Sequence, residues 1–306
     1  MYYEQRLTQA QIAQRVGLTR SMISRILTEA ERRKIIEIRV NKPRLRDTQL
    51  EGALTQLFRL KAAQVILVPQ GEGPDRIRRR VGAAGAHLLQ EYLSPNAVLG
   101  IGWGTSVSAV VDELHATEPL SLKVIQLVAA LGSRNLDYDG PSLVQRLVTR
   151  LGGEGFFLHA PFMVDSPDIL RELIENPSMR ETVDLFRQCE ICLTGLGSTD
   201  PRFSSYYRAG YVPISVLEHM RVKGAVGDVC GHHFDINGNQ AAQDFDNRVI
   251  AIRREDFLAI PTRIGIASGP GKPEAIVGAL RGEYINALVT DALTATRVIA
   301  LATKAQ

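Results

Sequence analysis

The chain lacks what a membrane span or an exported, cross-linked domain would need. No stretch of eighteen or more residues is both free of charge and apolar enough to cross a bilayer, and the opening residues Met1 to Gln11 hold no apolar signal core. Cysteine is scarce and odd in number, three in 306 residues, which gives no disulfide framework and points to a reducing cytoplasm. Charge is modest as well: 23% of residues are charged against 45% hydrophobic, too apolar for a disordered chain and ample for a well-buried core. The expectation is a soluble cytoplasmic protein of one large domain and one small one, with no membrane partner.

The formal net charge of +3 hides an asymmetry. Residues 1–46 carry eleven Lys/Arg against four Asp/Glu, a net of +7, while the rest of the chain carries 25 against 29, a net of −4. A basic head on a mildly acidic body implies a polyanion partner for the head alone.

Within that head, Ile12, Ala13 and Val16 fall at helical spacing, Gly17 interrupts, Leu18 follows, and Ile23 and Ile26 resume the period. This predicts a helix-turn-helix over residues 1–43. Thr8 and Thr19 stand where N-caps are needed, and Gly17 suits the left-handed geometry that ends a helix. A recognition helix offers its N-terminal half to the major groove, so Thr19, Arg20, Ser21, Ser24 and Arg25 are the predicted contacts with double-stranded operator DNA. Arg20 and Arg25 suit bases or phosphates; Thr19 and Ser21 suit a phosphate at the helix N-terminus. The plain alternative is an amphipathic hairpin with a solvated arginine face, but the confinement of the +7 charge to the same segment favours DNA. The following residues 34–43 alternate as a strand would and are expected to form a small wing.

Residues 44–60 form a connector with an apolar helical stripe of Leu50, Leu54, Leu57 and Phe58. The stripe suits either a dimer seam or packing onto the chain's own body. An oligomer, dimer or tetramer, is expected because a single helix-turn-helix reads too few bases to be selective.

From residue 61 to 306, continuously apolar runs alternate with helical patterns: 63–68, 96–103, 122–131, 155–161, 190–197, 248–253, 263–268 and 285–290. Runs this apolar suit strands covered on both faces, so the expected fold is α/β, a doubly wound and mostly parallel sheet. Ligands of such sheets bind at the C-terminal edge. Three edges stand out. Gly100, Gly102 and Gly104 precede Thr105 and Ser106 at a helix start, a pattern that can cradle a phosphate with loop N–H groups, hydroxyls and the helix dipole. Gly269, Gly271 and Lys272 repeat the design with a cation, and a third strand ends at Thr290 and Asp291. Neither glycine loop has the spacing of a dinucleotide fingerprint or a Walker sequence, so no nucleotide cofactor is expected.

Other clusters carry less. Cys230, His232, His233 and Asp235 match no closed zinc spacing, and no metal is expected. Asp228, after two glycines in Gly224-Ala225-Val226-Gly227, is the better candidate, as an acceptor for sugar hydroxyls. Cys189 and Cys192 are three apart on an expected strand, where side chains point to opposite faces, and read as buried structural thiols. Arg76, Arg78, Arg79 and Arg80 read as a solvated helix end, with phosphate binding as the lesser alternative.

The stretches YYEQRLTQAQIAQRVGLTRSMISRILTEA, LGIGWGTS, GAVGDVCGHHFD and IASGPGKPEAIVGALRGEYINALVTDALTA together resemble the SorC family of sugar-responsive transcriptional regulators, over nearly the whole chain. The resemblance implies an effector domain with the fold of sugar-phosphate isomerases and glucosamine-phosphate deaminases, used for sensing rather than catalysis. It implies a phosphorylated sugar or polyol as effector, and a tetramer. Position by position, it puts the phosphate loop on Gly102, Gly104, Thr105 and Ser106, the acidic sugar contact on or near Asp228 and the basic contact on Lys272. Relatives usually carry a further segment ahead of the double tyrosine that completes the first helix of the DNA domain, so a truncated or misassigned start is the expectation, and they more often show a single polar or basic residue where His232 and His233 stand. The rival reading is an isomerase or deaminase with a DNA-binding head, for which Asp228, Asp291 and His232 are the available proton-transfer groups; nothing in the sequence pairs them.

Overall fold

A computed structural model describes residues 1–3, 5, 7–33, 35, 45–116, 118–132 and 136–304. The chain divides into two compact units, Met1–Pro43 and Arg44–Gln306.

In the first unit, α1 (Gln9–Val16) begins with a reciprocal cap: Thr8 Oγ1 accepts from Gln11 N at 3.3 Å and Gln11 Oε1 accepts from Thr8 N at 2.9 Å. It ends at Gly17, whose φ of 69° is the left-handed geometry expected of it. After two intervening residues α2 (Arg20–Arg32) starts, with Thr19 Oγ1 accepting from Met22 N at 3.3 Å. Ile12, Ala13 and Ile23 are buried at the crossing, with Leu7 and Leu27 packed against them. Val16, Leu18 and Ile26, which the periodicity assigned to the same seam, instead stand 43%, 37% and 52% exposed. The reason is geometric: Leu27, four residues after Ile23, fills the side of α2 that faces α1, and Ile26 is turned away. The wing expected over residues 34–43 lies outside the described residues except for Ile35.

The second unit runs α3 (Thr48–Phe58), β1 (Ala62–Ile66), α4 (Pro74–Tyr92), β2 (Val98–Ile101), α5 (Thr105–Glu113), β3 (Leu122–Gln126), α6 (Gly140–Leu151), β4 (Gly153–Phe156), α7 (Pro167–Glu175), α8 (Pro177–Leu185) and β5 (Ile191–Gly195). It continues through α9 (Ser205–Arg208), α10 (Ile214–Val222), β6 (Gly227–Val229), β7 (His232–Phe234), α11 (Gln243–Asp246), α12 (Arg254–Ala259), β8 (Thr262–Ile266), α13 (Pro273–Arg281), β9 (Ala287–Asp291) and α14 (Ala292–Lys304). Seven strands form one sheet in the order β1-β9-β8-β5-β2-β3-β4, and every pair is parallel. β6 and β7 form a separate antiparallel hairpin. Residues 248–253 form no regular strand: Val249 and Ala251 make only isolated antiparallel bridges to Met163 and Val128.

Both faces of the sheet are covered, which is why its strands read as unbroken apolar runs. On one face Val81, Val107 and Leu143, from α4, α5 and α6, pack over Leu99, Ile101 and Ile264. On the other, Met179, Leu217, Phe257, Ile276 and Val298 close a second core. α4 and α5 meet so closely that a Cβ on Gly82 would lie 2.6 Å from Ala109 O, so only glycine fits there.

The connector helix α3 packs onto the body. Leu54 is fully buried, and Leu50, Leu57 and Phe58 pack against the same core. Glu51, 8% exposed, accepts from Arg46 at 2.7 and 2.8 Å and from Val65 N at 2.9 Å, tying α3 to β1. Replacing a buried leucine by alanine loses transfer free energy and leaves a cavity, so Leu54→Ala is expected to destabilise the body by about 2–5 kcal/mol in chemical denaturation. A loss under about 1 kcal/mol would mean that α3 is not part of the body's core.

Candidate functional site

The strand order reverses direction once. From β2 the chain builds outward through β3 to β4, and from the adjacent β5 it builds the opposite way through β8 to β9. Parallel strands put all their C-terminal ends on one edge, and the loops leaving β2 and β5 diverge there and open a crevice. A cavity of about 290 Å³ occupies it. Trp103, Gly104, Thr105 and Ser106 come from the β2 exit, Thr194 to Gly197 from β5, and Ser268 to Lys272 from β8. The two glycine loops therefore do not leave neighbouring strands: β5 lies between them and its exit forms the floor.

The β2 loop leads into a helix start without a side-chain cap. Gly104 has φ 120° and donates its N–H to Tyr138 O at 3.0 Å, and no side chain caps α5 behind it. The first turn of α5, the positive end of its helix dipole, lines the cavity at Thr105 and Ser106, with Thr105 exposed. Gly102 does not reach the cavity wall. It donates to Leu193 O at 2.9 Å, and a Cβ there would come within 2.7 Å of Thr194 Oγ1, so it packs the loop against β5.

The β8 loop is held from behind. Gly269, at φ 101°, donates its N–H to Asp291 Oδ2 at 3.1 Å and to Thr294 Oγ1 at 2.9 Å. Thr294 returns its hydroxyl to Asp291 Oδ2 at 2.5 Å and its N–H to Oδ1 at 2.9 Å. Asp291 is 2% exposed and wholly engaged, so this strand end fixes a loop rather than meeting a ligand. Lys272 caps α13 from the cavity side; its Nζ donates to Leu196 O at 2.6 Å, and burial draws its pKa down to about 8, with Asp228 opposing the fall and Arg208 adding to it.

Asp228 is the one carboxylate on the cavity wall among the described residues. It is 6% exposed, stands on β6, and its Oδ2 accepts from the Tyr206 hydroxyl at 2.8 Å. Burial first, then the neighbouring Asp228 charge, hold the Tyr206 phenol well above its usual range, so it remains a donor. Behind them, His233 is fully buried and bonds Asp246 through Nδ1 at 2.6 Å and through its backbone N–H at 2.9 Å. Burial lowers the His233 pKa, but the Asp246 bond and the charges of Asp246 and Asp228 outweigh it and the net shift is upward. His232 bonds Ile252 O at 2.9 Å and Asp235 accepts from the backbone of Asn237 and Asn239 at 2.9 Å each, so these two side chains are engaged locally, while His233 Nε2 is buried without a partner.

Cys189, Cys192 and Cys230 are free and buried, and all three belong to the same core. The opposite-face expectation for Cys189 and Cys192 fails because Cys189 precedes β5, where strand alternation does not apply. Burial pushes the Cys189 thiol up to about 12 and the Cys192 thiol well above its ordinary value, as inert structural thiols require.

Several wall residues went unmarked by the sequence. Trp103 sat inside the quoted glycine motif but was not singled out; its ring lies 5.4 Å from that of Tyr206. Tyr206 and Arg208 come from α9, a helix of four residues with no periodic signal. Arg78, read chiefly as part of a solvated helix end with phosphate binding as the lesser alternative, lines the cavity while pairing with Asp75 at 2.8 Å. In the head, Thr19, Arg20, Ser21, Ser24 and Arg25 are all exposed, and Thr19 Oγ1 also contacts Ser21 Oγ at 3.0 Å.

The position of Asp228 depends on a glycine. A Cβ on Gly197 would fall 1.7 Å from Asp228 Oδ1. Gly197→Ala is expected to force the carboxylate off the cavity wall and to cost about 1–3 kcal/mol of stability, measured by chemical denaturation, as overpacking typically does. An unchanged midpoint would show that Asp228 swings freely.

Residues 42–300 match the sugar-binding domain family, and residues 2–50 match the Crp-like helix-turn-helix domain. The chain is 29% identical over 297 residues to the sorbitol operon regulator of Klebsiella pneumoniae, covering 96% of this chain and 94% of that one. It is 30% identical over 303 residues to the transcriptional regulator LsrR of Escherichia coli K12, covering 97% and 92%. The crystal structure of full-length SorC from Klebsiella pneumoniae superposes with a TM-score of 0.75 at 27% identity, over 97% of this chain and 96% of that one. These relatives are regulators, not enzymes. With a DNA-reading head, a crevice at the reversal of a parallel sheet and a sugar-binding family match across the body, the chain belongs to the SorC family of sugar-responsive transcriptional regulators.

Proposed function

We propose that the protein is a cytoplasmic operator-binding regulator of carbohydrate metabolism, acting as a dimer or tetramer, whose DNA affinity is set by a phosphorylated sugar or polyol in the crevice. The observation that carries the choice of ligand is the uncapped N-terminus of α5. Neither α5 nor α13 has a side-chain cap, but α13 opens on Pro273, which has no N–H to offer, and its loop has the Gly269 N–H already taken by Asp291 and Thr294, whereas α5 opens on Thr105. The phosphate therefore rests on Gly104, Thr105 and Ser106, with Arg78 nearby, while Asp228 and Lys272 meet the sugar end. Gly102 supports this seat from behind. One carboxylate among several cations on the wall suits an anionic ligand with hydroxyls.

A thermal-shift screen of sugars, polyols and their phosphates tests the reading, since a ligand at a hundred times its dissociation constant adds about 2.7 kcal/mol of stability. Thr105→Ala and Lys272→Ala should each cost about 1.5–3 kcal/mol of ligand affinity by calorimetry, the range for hydrogen bonds to charged groups, and leave effector-free operator binding nearly intact. Wild-type affinity in both variants would place the ligand elsewhere. Effector and operator should shift each other's affinity by the same factor, worth about 1–3 kcal/mol.

For the head, Thr19, Arg20, Ser21, Ser24 and Arg25 form the operator-reading face. Arg25→Ala should weaken specific binding by about 1–3 kcal/mol and relax selectivity at one base pair if its contact is bidentate to a base. A uniform loss on all sequences would assign Arg25 to a phosphate, and unchanged binding in a titration at fixed salt would remove it from the interface.

A further inference from the structure

Lys272 is built for more than charge pairing. Its nitrogen bonds to a carbonyl, Leu196 O, rather than to a carboxylate, and that bond fixes it on the cavity floor. It stands at the N-terminus of α13, whose dipole disfavours a cation. We propose that Lys272 captures the open-chain form of an aldose or ketose phosphate reversibly, as an imine between Nζ and the carbonyl carbon. This deepens, and rests on, the effector reading above: the phosphate lies on the α5 N-terminus and the carbonyl end reaches Lys272.

The chemistry balances without an added reagent. The lone pair of neutral Nζ bonds to the carbonyl carbon while the C=O π pair moves to oxygen, giving a carbinolamine once a proton passes from nitrogen to oxygen. Loss of the hydroxyl with the second N–H proton releases one water and leaves C=N. Asp228, held by Tyr206, is the carboxylate on the wall that can carry a proton between nitrogen and oxygen.

The neutral amine is available at working pH because burial holds the Lys272 pKa near 8, against the pull of Asp228 and with the push of Arg208. At pH 7.5 roughly a quarter of such a lysine is unprotonated, against roughly 0.1% of an ordinary exposed lysine. A desolvated lysine beside cationic groups is the usual setting for such condensation. A polyol phosphate, lacking the carbonyl, would sit in the same cavity without the covalent bond.

The test uses full-length protein and erythrose 4-phosphate, an aldose phosphate whose blocked 4-hydroxyl keeps the chain open, with cyanoborohydride to fix any imine and peptide mapping by mass spectrometry. The expected result is an adduct at Lys272 that forms on the order of tenfold faster than on exposed lysines at pH 7.5 and accelerates through pH about 8 rather than about 10. Erythritol 4-phosphate should block it, and Lys272→Arg should abolish it. A thermal shift from both compounds with no fixed adduct would overturn the imine and leave the effector reading standing. Adducts spread evenly over exposed lysines, without protection, would also overturn it. Neither adduct nor thermal shift, with this or any other sugar phosphate, would overturn both.

Discussion

Seven parallel strands must send all their exits to one edge, and a strand order that reverses between neighbours must leave a crevice there. Most features of the cavity follow from that constraint. β2, β5 and β8 are consecutive across the reversal or one step from it, so their exits supply the wall, the floor and the opposite wall. Parallel pairing in turn requires crossover helices, which bury both faces of the sheet and give the strands their continuous apolar character. Two cores, one on each face, hold the strand ends in register, and the loops inherit that rigidity.

Within the crevice, the polar groups are sorted by whether their hydrogen bonds are already made. Asp291 spends its carboxylate on Gly269 and Thr294, and Lys272 gives a bond to Leu196 O. Both α5 and α13 lack a side-chain cap, but α13 opens on Pro273, which has no N–H, while α5 opens on Thr105, which has one. An anion gains most where donors are oriented and unsatisfied, because nothing has to be broken to admit it. That difference separates two loops that look alike as sequence.

The fold was legible because burial on both faces writes itself into composition: six of the eight apolar runs became strands of the sheet, and a seventh, 155–161, overlaps the half-exposed edge strand β4 only at Gly155 and Phe156. The exception, residues 248–253, is equally apolar but packs as an extended segment with only single bridges, and apolar runs carry no information about pairing partners. The hairpin of β6 and β7 is three residues per strand, too short to show alternation. In the site, glycines and hydroxyls at strand ends were visible, yet Gly102 and Gly104 could not be told apart, since one packs against Thr194 and the other opens toward the cavity. Tyr206 and Arg208 reach the site from a single turn of helix, a placement that only tertiary structure creates. In the head, caps and the glycine turn were readable one residue at a time, whereas the choice of Leu27 over Ile26 depends on the crossing of two helices.

The same sorting bears on why such a crevice senses rather than catalyses. Moving a proton beside a carbonyl takes a base and an acid poised on the same few atoms, with pKa values set apart by their surroundings. Of the three groups that might have served, Asp291 is sealed by three donors, His232 is bonded to a backbone carbonyl, and only Asp228 faces the ligand space. His233 and Asp246 are bonded to each other behind it. A carboxylate with a fixed tyrosine donor can bind a hydroxyl or pass one proton, but among the described residues no second carboxylate or imidazole on the cavity wall completes a transfer across two carbons. Each buried bond that stiffens the cavity removes a group from possible chemistry, so affinity for one ligand shape is gained from the same contacts that leave turnover without a partner.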